Sequence, residues 1–233
     1  MQKPQLFLLH FAGGNCHSFN FMIPLLKEFH VVSLELPGRG KRINEALLID
    51  FDLAAKDIYE QIVNKLTSSN FLIYGHSMGA YLALKATHML EKQNIFPSYV
   101  IVSGNPGPGI KNTKERYLLP DEEFIQELKN LGGIPKEVFE NTELLDFCVP
   151  ILRADFQIAE TNVLSIESIV NTPIYAMMGN QENEAGRISN WGRFTSSQFN
   201  FEILEGDHFF IHKNSLKIAH IIKNCYKSIV LMH

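Results

Sequence analysis

The run Phe71-Leu72-Ile73-Tyr74-Gly75-His76-Ser77-Met78-Gly79-Ala80-Tyr81-Leu82 decides the reading of this chain. Four apolar residues, Phe71–Tyr74, read as a buried strand. Ala80–Lys92 carries Ala83, Leu84, Thr87 and Leu90 at the spacing of a buried helical stripe. Between them stands Gly75-His76-Ser77-Met78-Gly79, a GxSxG pentapeptide. A strand that turns into a helix within so few residues strains the backbone at Ser77, and the flanking glycines make room for it. The turn leaves an exposed hydroxyl at a helix N-terminus, where the dipole and free N–H groups favour developing negative charge. Ser77 is the candidate nucleophile.

Outward from this turn the same alternation recurs. Leu6–Leu9 stops at Ala12-Gly13-Gly14, Val31–Leu36 at Pro37-Gly38, Tyr99–Val102 at Ser103-Gly104, Ile174–Met178 at Gly179, and Phe201–Leu204 near Gly206. Short apolar runs bounded by Gly or Pro read as buried parallel strands. A helix capped by Asp52, with Leu53, Ile58, Ile62, Val63 and Leu66 on one stripe, is expected before the elbow. Alternation of this kind predicts an α/β fold, a mostly parallel sheet covered on both faces that binds ligands at the carboxyl ends of its strands. The stretch 106–171 breaks the rhythm. It has no clear strand and a helix starting near Pro120-Asp121, with Phe124, Leu128 and Leu131 on its apolar side. About sixty helical residues between two strands allow a second domain, but at that size a cap over the ligand-binding edge of a single domain spanning 1–233 is the expectation.

Composition narrows the function classes. The 233 residues are 45% hydrophobic and 20% charged, an ordinary globular balance that excludes disordered and fibrous classes. A net charge of −4 gives no pull toward nucleic acid or anionic lipid. Cys16, Cys148 and Cys225 are odd in number and widely spaced, which argues against a disulfide framework and for a reducing compartment. No window approaches 18 apolar residues, and the first apolar run is too short for a signal-peptide core. A cytoplasmic protein is expected, with no membrane or nucleic-acid partner. The sequence has no HExxH, Cys/His cluster or GxxxxGK[ST], so neither a metal nor a cofactor is expected.

A nucleophilic serine needs a base, and the oxyanion it generates needs two donors. On α/β-hydrolase scaffolds the order along the chain is serine, acid, histidine. His208, His212, His220 and His233 follow the last credible acid, and His208 stands directly after Phe201–Leu204, in the loop position the geometry requires. His212 and His220 fall on the following helix, and His233 is terminal. One oxyanion donor should be the backbone N–H of Met78; Ala12, in the loop after the first strand, is the candidate for the other.

His10-Phe11-Ala12-Gly13-Gly14, Leu36-Pro37-Gly38-Arg39-Gly40, the GHSMG elbow, Leu152-Arg153-Ala154-Asp155 and Gly206-Asp207-His208-Phe209-Phe210 occur in this order from Leu6 to Phe210. The set resembles the type II thioesterases that accompany non-ribosomal peptide and polyketide synthetases. The resemblance implies an α/β-hydrolase fold with a mobile helical lid at about 106–171. It implies hydrolysis of acyl groups from the phosphopantetheine arm of acyl- or peptidyl-carrier proteins, clearing mis-primed synthetases without a cofactor. By position it makes Ser77 the nucleophile, His208 the base, and Ala12 and Met78 the oxyanion donors. In the family pattern an aspartate follows the fifth strand as Gly-x-x-Asp; here Gly179-Asn180-Gln181-Glu182 puts a glutamate there. Glu182 is the first candidate acid and Glu184 the second. Asp207 should diverge from the histidine ring, and Asp155 is expected to fix structure by pairing with Arg153 or backbone N–H groups.

Two other readings keep part of this machinery. One is a hydrolase of acyl-CoA or small esters; the other, from a different class, is a weakly active or non-catalytic synthetase-binding partner in which Glu182 marks decay of the triad. Trp191 and Phe194 are expected to pack the helix after the acid loop. Arg39, Lys41 and Arg42 read as a solvated basic cluster, with a partner surface as the alternative. Phe124, Leu128, Phe147 and Phe156 are candidates to line an acyl site, and a monomer is expected. Acyl-chain length and the synthetase served are not written in the sequence.

Overall fold

A computed structural model describes residues 3–110, 115–162, 164 and 168–230. The strands are β1 (Gln5–Leu9), β2 (His30–Leu34), β3 (Phe71–His76), β4 (Tyr99–Ser103), β5 (Ile174–Gly179) and β6 (Phe199–Leu204). They form one sheet in the order β2-β1-β3-β4-β5-β6, with every neighbouring pair parallel. The three central strands β1, β3 and β4 are buried at every position, as uninterrupted apolar runs demand of a sheet covered on both faces.

Alternation along each strand divides the core in two. Phe7, Leu9, Ile73, Val100 and Val102 face a layer built from helix α1 (Phe51–Lys65), helix α2 (Met78–Glu91) and the 3-10 helix Ala185–Phe194. Leu6, Leu8, Leu72, Tyr74 and Ile101 face the opposite layer, where Phe19, Met22 and Leu26 pack with Ile218 and Ile222. The insertion between β4 and β5 consists of a 3-10 turn (Arg116–Leu118), helix α3 (Asp121–Leu131), helix α4 (Lys136–Glu140) and helix α5 (Thr142–Glu160). It has a small core of its own around Phe124, Leu128 and Leu152. After β6 come the short α6 (Phe210–Lys213) and the long α7 (Ser215–Val230). Among the described residues no helix is long and apolar enough to cross a membrane.

Several local expectations need correction. The N-cap of α1 is Asp50, whose Oδ1 accepts the Leu53 N–H at 2.8 Å; Asp52 lies in the first turn and pairs with Lys85 at 2.8 Å. The buried stripe of α1 is Phe51, Ala54, Ala55, Ile58 and Ile62, and Leu53 and Val63, expected on it, point outward. Strand β2 ends at Leu34 rather than Leu36. Of the two partners expected for Asp155, a backbone N–H is present, from Gly13 at 2.7 Å, but Arg153 does not pair with it, because residues two apart on a helix point to different faces. Arg153 instead binds Asp121 and the carbonyls of Tyr117 and Leu119, with its guanidinium 4.5 Å above the Phe124 ring.

Candidate active site

The carboxyl ends of the strands bring the candidate residues together. Ser77, between β3 and α2, has φ +56° and ψ −117°, a conformation that costs about 1–3 kcal/mol in a non-glycine residue. The turn is so tight that a Cβ at Gly75 would lie 2.1 Å from the Gly79 carbonyl oxygen. Neighbouring groups hold it in place. The Ser77 N–H donates to the Ser103 carbonyl at 2.7 Å, and its own carbonyl accepts from Asn105 Nδ2 at 2.8 Å. The carbonyl of Asn105 is held in turn by the indole N–H of the fully buried Trp191 at 2.9 Å.

His208 follows β6, and its Nε2 lies 3.0 Å from Ser77 Oγ. Its Nδ1 lies 2.8 Å from Oε2 of Glu182, which follows β5. A carboxylate accepts hydrogen bonds, so Nδ1 carries the proton and Nε2 is left to accept from the serine hydroxyl. The other carboxylate oxygen of Glu182 accepts the Gly179 N–H at 2.8 Å. The glutamate thus folds back over its own turn, which takes up the extra methylene. Glu184 is exposed and pairs with Arg187 at 3.3 Å. Asp207 is turned away, accepting the Phe209 N–H at 2.8 Å. His212 packs against the rings of Phe21 and Phe209, His220 stands exposed on α7, and His233 lies outside the described residues.

Ala12 follows β1, and Met78 opens α2. Neither backbone N–H donates to another group among the described residues. Ser77, His208, Glu182 and Ala12 line a cavity of about 1130 Å³, roofed by Leu128, Phe147, Ile151 and Phe156 of the insertion. Phe124 is not part of that lining; it is fully buried in the insertion's own core. Among the described residues no group of three or more His, Cys, Asp or Glu side chains is arranged to hold a metal ion.

A serine on a strained elbow, hydrogen-bonded to a histidine that is in turn held by a carboxylate, is the arrangement of acyl-transfer hydrolases. The thioesterase domain family model matches residues 4–228. The chain belongs to the thioesterase family. It is 33% identical over 223 residues to the gramicidin S biosynthesis protein GrsT of Aneurinibacillus migulanus, covering 93% of this chain and 86% of that one. Among solved structures it is similar to ClbQ from the colibactin NRPS/PKS pathway, with TM-score 0.91 and 26% identity over the whole of both chains. The type II thioesterase BorB from the borrelidin biosynthetic cluster matches with TM-score 0.88 and 28% identity, covering 97% of this chain and 93% of that one. These solved structures and the six-stranded parallel sheet identify the fold as that of an α/β-hydrolase.

Two features of this thioesterase escaped the sequence reading. Arg39, read there as part of a solvated cluster, is 3% exposed and forms a two-pronged ion pair with Asp155. Arg42 is bound by Glu45 and Asp57, and Lys41 is exposed. The second feature is His76, inside the elbow itself. It is fully buried, with Nδ1 2.8 Å from Ser103 Oγ, which is itself 2.9 Å from the Tyr74 hydroxyl. Donation from Tyr74 to Ser103 and from Ser103 to Nδ1 leaves no hydroxyl hydrogen unpaired, and places the ring proton on Nε2. That nitrogen has no hydrogen-bond partner among the described residues. Burial pushes the His76 pKa well below the ordinary histidine value, and the His208 ring 5.1 Å away adds to the shift. A neutral ring therefore lies beside the candidate base.

Proposed function

We propose that Ser77, His208 and Glu182 are the nucleophile, base and acid of this thioesterase, and that Ala12 and Met78 supply the oxyanion N–H donors. The observation that carries this reading is the hydrogen-bonded series from Glu182 through His208 to Ser77, opening on a cavity large enough for an acyl chain and the end of its carrier arm. His208 takes the hydroxyl proton as Ser77 Oγ attacks the thioester carbonyl. The tetrahedral oxyanion is held by the two N–H groups, and collapse expels the thiolate, which His208 protonates. Water deprotonated by the same imidazole attacks the acyl-serine, releasing the acid and restoring Ser77. Glu182 holds the tautomer and stabilises the imidazolium in both halves. No cofactor takes part.

The substrate we propose is an acyl group on the phosphopantetheine arm of a carrier protein, released by a stand-alone, monomeric, cytoplasmic enzyme that clears stalled synthetases. This reading is supported by similarity to GrsT of gramicidin S biosynthesis, ClbQ of the colibactin NRPS/PKS pathway and the type II thioesterase BorB of the borrelidin biosynthetic cluster. The reading treats the chain as one domain with its helical insertion as lid. One observation favours acyl-CoA as a second substrate class: Arg39 and Arg42 are engaged within the protein, so they present no basic patch to an acidic carrier protein. Comparing kcat/KM for one acyl group on a carrier protein and on CoA decides between them. The carrier protein should be the better substrate; an equal or better CoA thioester would replace it. A fluorophosphonate should label Ser77, and failure to label it would return the chain to the binding-partner reading.

A further inference from the structure

Residues Phe11–Gly14 form a turn closed by the Gly14 N–H on the Phe11 carbonyl at 2.9 Å, with Gly13 at φ +75° in its third position, the conformation of a type II turn. Both peptide planes flanking Ala12 are tied down. The Phe11 carbonyl also accepts from His10 Nδ1 at 2.8 Å. In a trans peptide the C=O and the following N–H point in opposite directions, so fixing this carbonyl fixes the direction of the Ala12 N–H. The next plane is held from outside the loop, by the Gly13 N–H donating to Asp155 Oδ2 at 2.7 Å. That bond selects the central peptide orientation that separates type II from type I.

Asp155 belongs to α5, in the insertion, and is fully buried. Arg39 grips it through Nη1 on Oδ2 at 2.5 Å and Nη2 on Oδ1 at 2.8 Å. On the preceding turn of α5, Leu152 lies against the same loop, where a Cβ on Gly13 would come within 2.5 Å of Leu152 Cδ2. The insertion thus makes both a charged and an apolar contact with the segment that carries Ala12.

We propose that Asp155, locked by Arg39, is a positioning residue for the oxyanion hole, so that the seating of the lid helix α5 on Gly13 sets how well the enzyme stabilises its transition state. The proposal rests on the reading of Ala12 N–H as an oxyanion donor. A merely structural ion pair would not need to share a carboxylate oxygen with the Gly13 N–H. Losing an oxyanion donor outright costs about 10²–10³ in kcat, and a turn that only part of the time aims its N–H correctly should lose less.

Asp155→Asn alone leaves a buried guanidinium poorly paired and can fail to fold, so the decisive variant is the double Arg39→Met/Asp155→Leu. Replacing a buried ion pair by apolar side chains of similar volume is often neutral or stabilising, while here it strips the Gly13 N–H of its acceptor. The double variant should keep the wild-type melting temperature within a few degrees and lose about 10–100-fold in kcat with KM little changed. Its affinity for an alkylboronic acid, which forms an anionic tetrahedral adduct on Ser77, should weaken by a similar factor, and its Kd for an unreactive acyl-pantetheine thioether should not move. Arg39→Lys, which keeps the charge but loses the fork, should show the same pattern to a smaller degree. If either folded variant keeps wild-type kcat and boronate affinity, the proposal is overturned. Ser77→Ala, run alongside, separates the two readings: an active Ser77→Ala enzyme removes the oxyanion-hole reading itself, whereas a dead one beside a fully active double variant removes the positioning role alone.

Discussion

Glu182 reaches His208 by folding over the Gly179 N–H, and each of its carboxylate oxygens has a separate task. In Glu182→Gln the oxygen can keep only one of them. If it stays on Gly179, the amide NH₂ faces Nδ1 and favours the tautomer with its proton on Nε2, where it cannot accept from Ser77. We expect kcat to fall by about 10–10³ with KM little changed. Glu182→Asp shortens the reach and should also lower kcat, although aspartate is the residue of the family pattern. Glu184→Gln should stay near wild type, because Glu184 is exposed and its carboxylate pairs with Arg187 rather than with His208. Steady-state kinetics on the three variants check this; damage at Glu184 with a silent Glu182 would move the acid two residues along. At this scale the juxtaposition of Ser77 and His208 was legible in the sequence, because the elbow is a local strand–turn–helix and the histidine stands at the foot of a later apolar run. The Arg39–Asp155 pair was not, since 116 positions separate the partners and a buried cation looks like a solvated one in a sequence.

Among the elements, the central strands β1, β3 and β4 were legible because consecutive burial writes itself as an apolar run, whereas the edge strand β6, expected to be buried, leaves Phe201 and Ile203 exposed. Ends and caps were less legible. Asp50 and Asp52 are equally plausible caps by residue type, and only the backbone geometry places Asp50 Oδ1 on the Leu53 N–H. Asp50→Ala should destabilise the protein by about 1 kcal/mol in urea titration. Asp52→Ala removes an ion pair with Lys85 whose aspartate is largely exposed, and should cost less. Equal losses, or a larger loss at Asp52, would contradict the cap assignment. The insertion was recognisable by its missing strands, but its anchorage was not. Arg153 turns inward to α3 and the carbonyls of Tyr117 and Leu119, and Asp155 turns to the body of the enzyme.

At the scale of the whole molecule, the parallel sheet gathers residues from the ends of β1, β3, β5 and β6 at one edge, and the insertion roofs them. Holding two histidines in that interior has a consequence for stability. His10 and His76 are both buried, and burial lowers both pKa values, with Arg39 adding to the effect at His10 and His208 at His76. Below about pH 6.5 the unfolded chain takes up protons on these rings that the native state refuses, so the unfolded state binds more protons and stability falls as pH falls. Each ring contributes at most about 1.4 kcal/mol per pH unit between 6.5 and its native value. Unfolding free energies at pH 7, 6 and 5 should therefore decline, and a flat or rising series would show that these rings are not held neutral. The central claim, that Ser77 is the nucleophile of a thioester hydrolase, is tested most directly by the rate at which wild type and Ser77→Ala release the acid from an acyl-phosphopantetheinyl carrier protein. The account predicts a folded Ser77→Ala enzyme slower by at least about 10³-fold. A folded variant within about tenfold of wild type would contradict it.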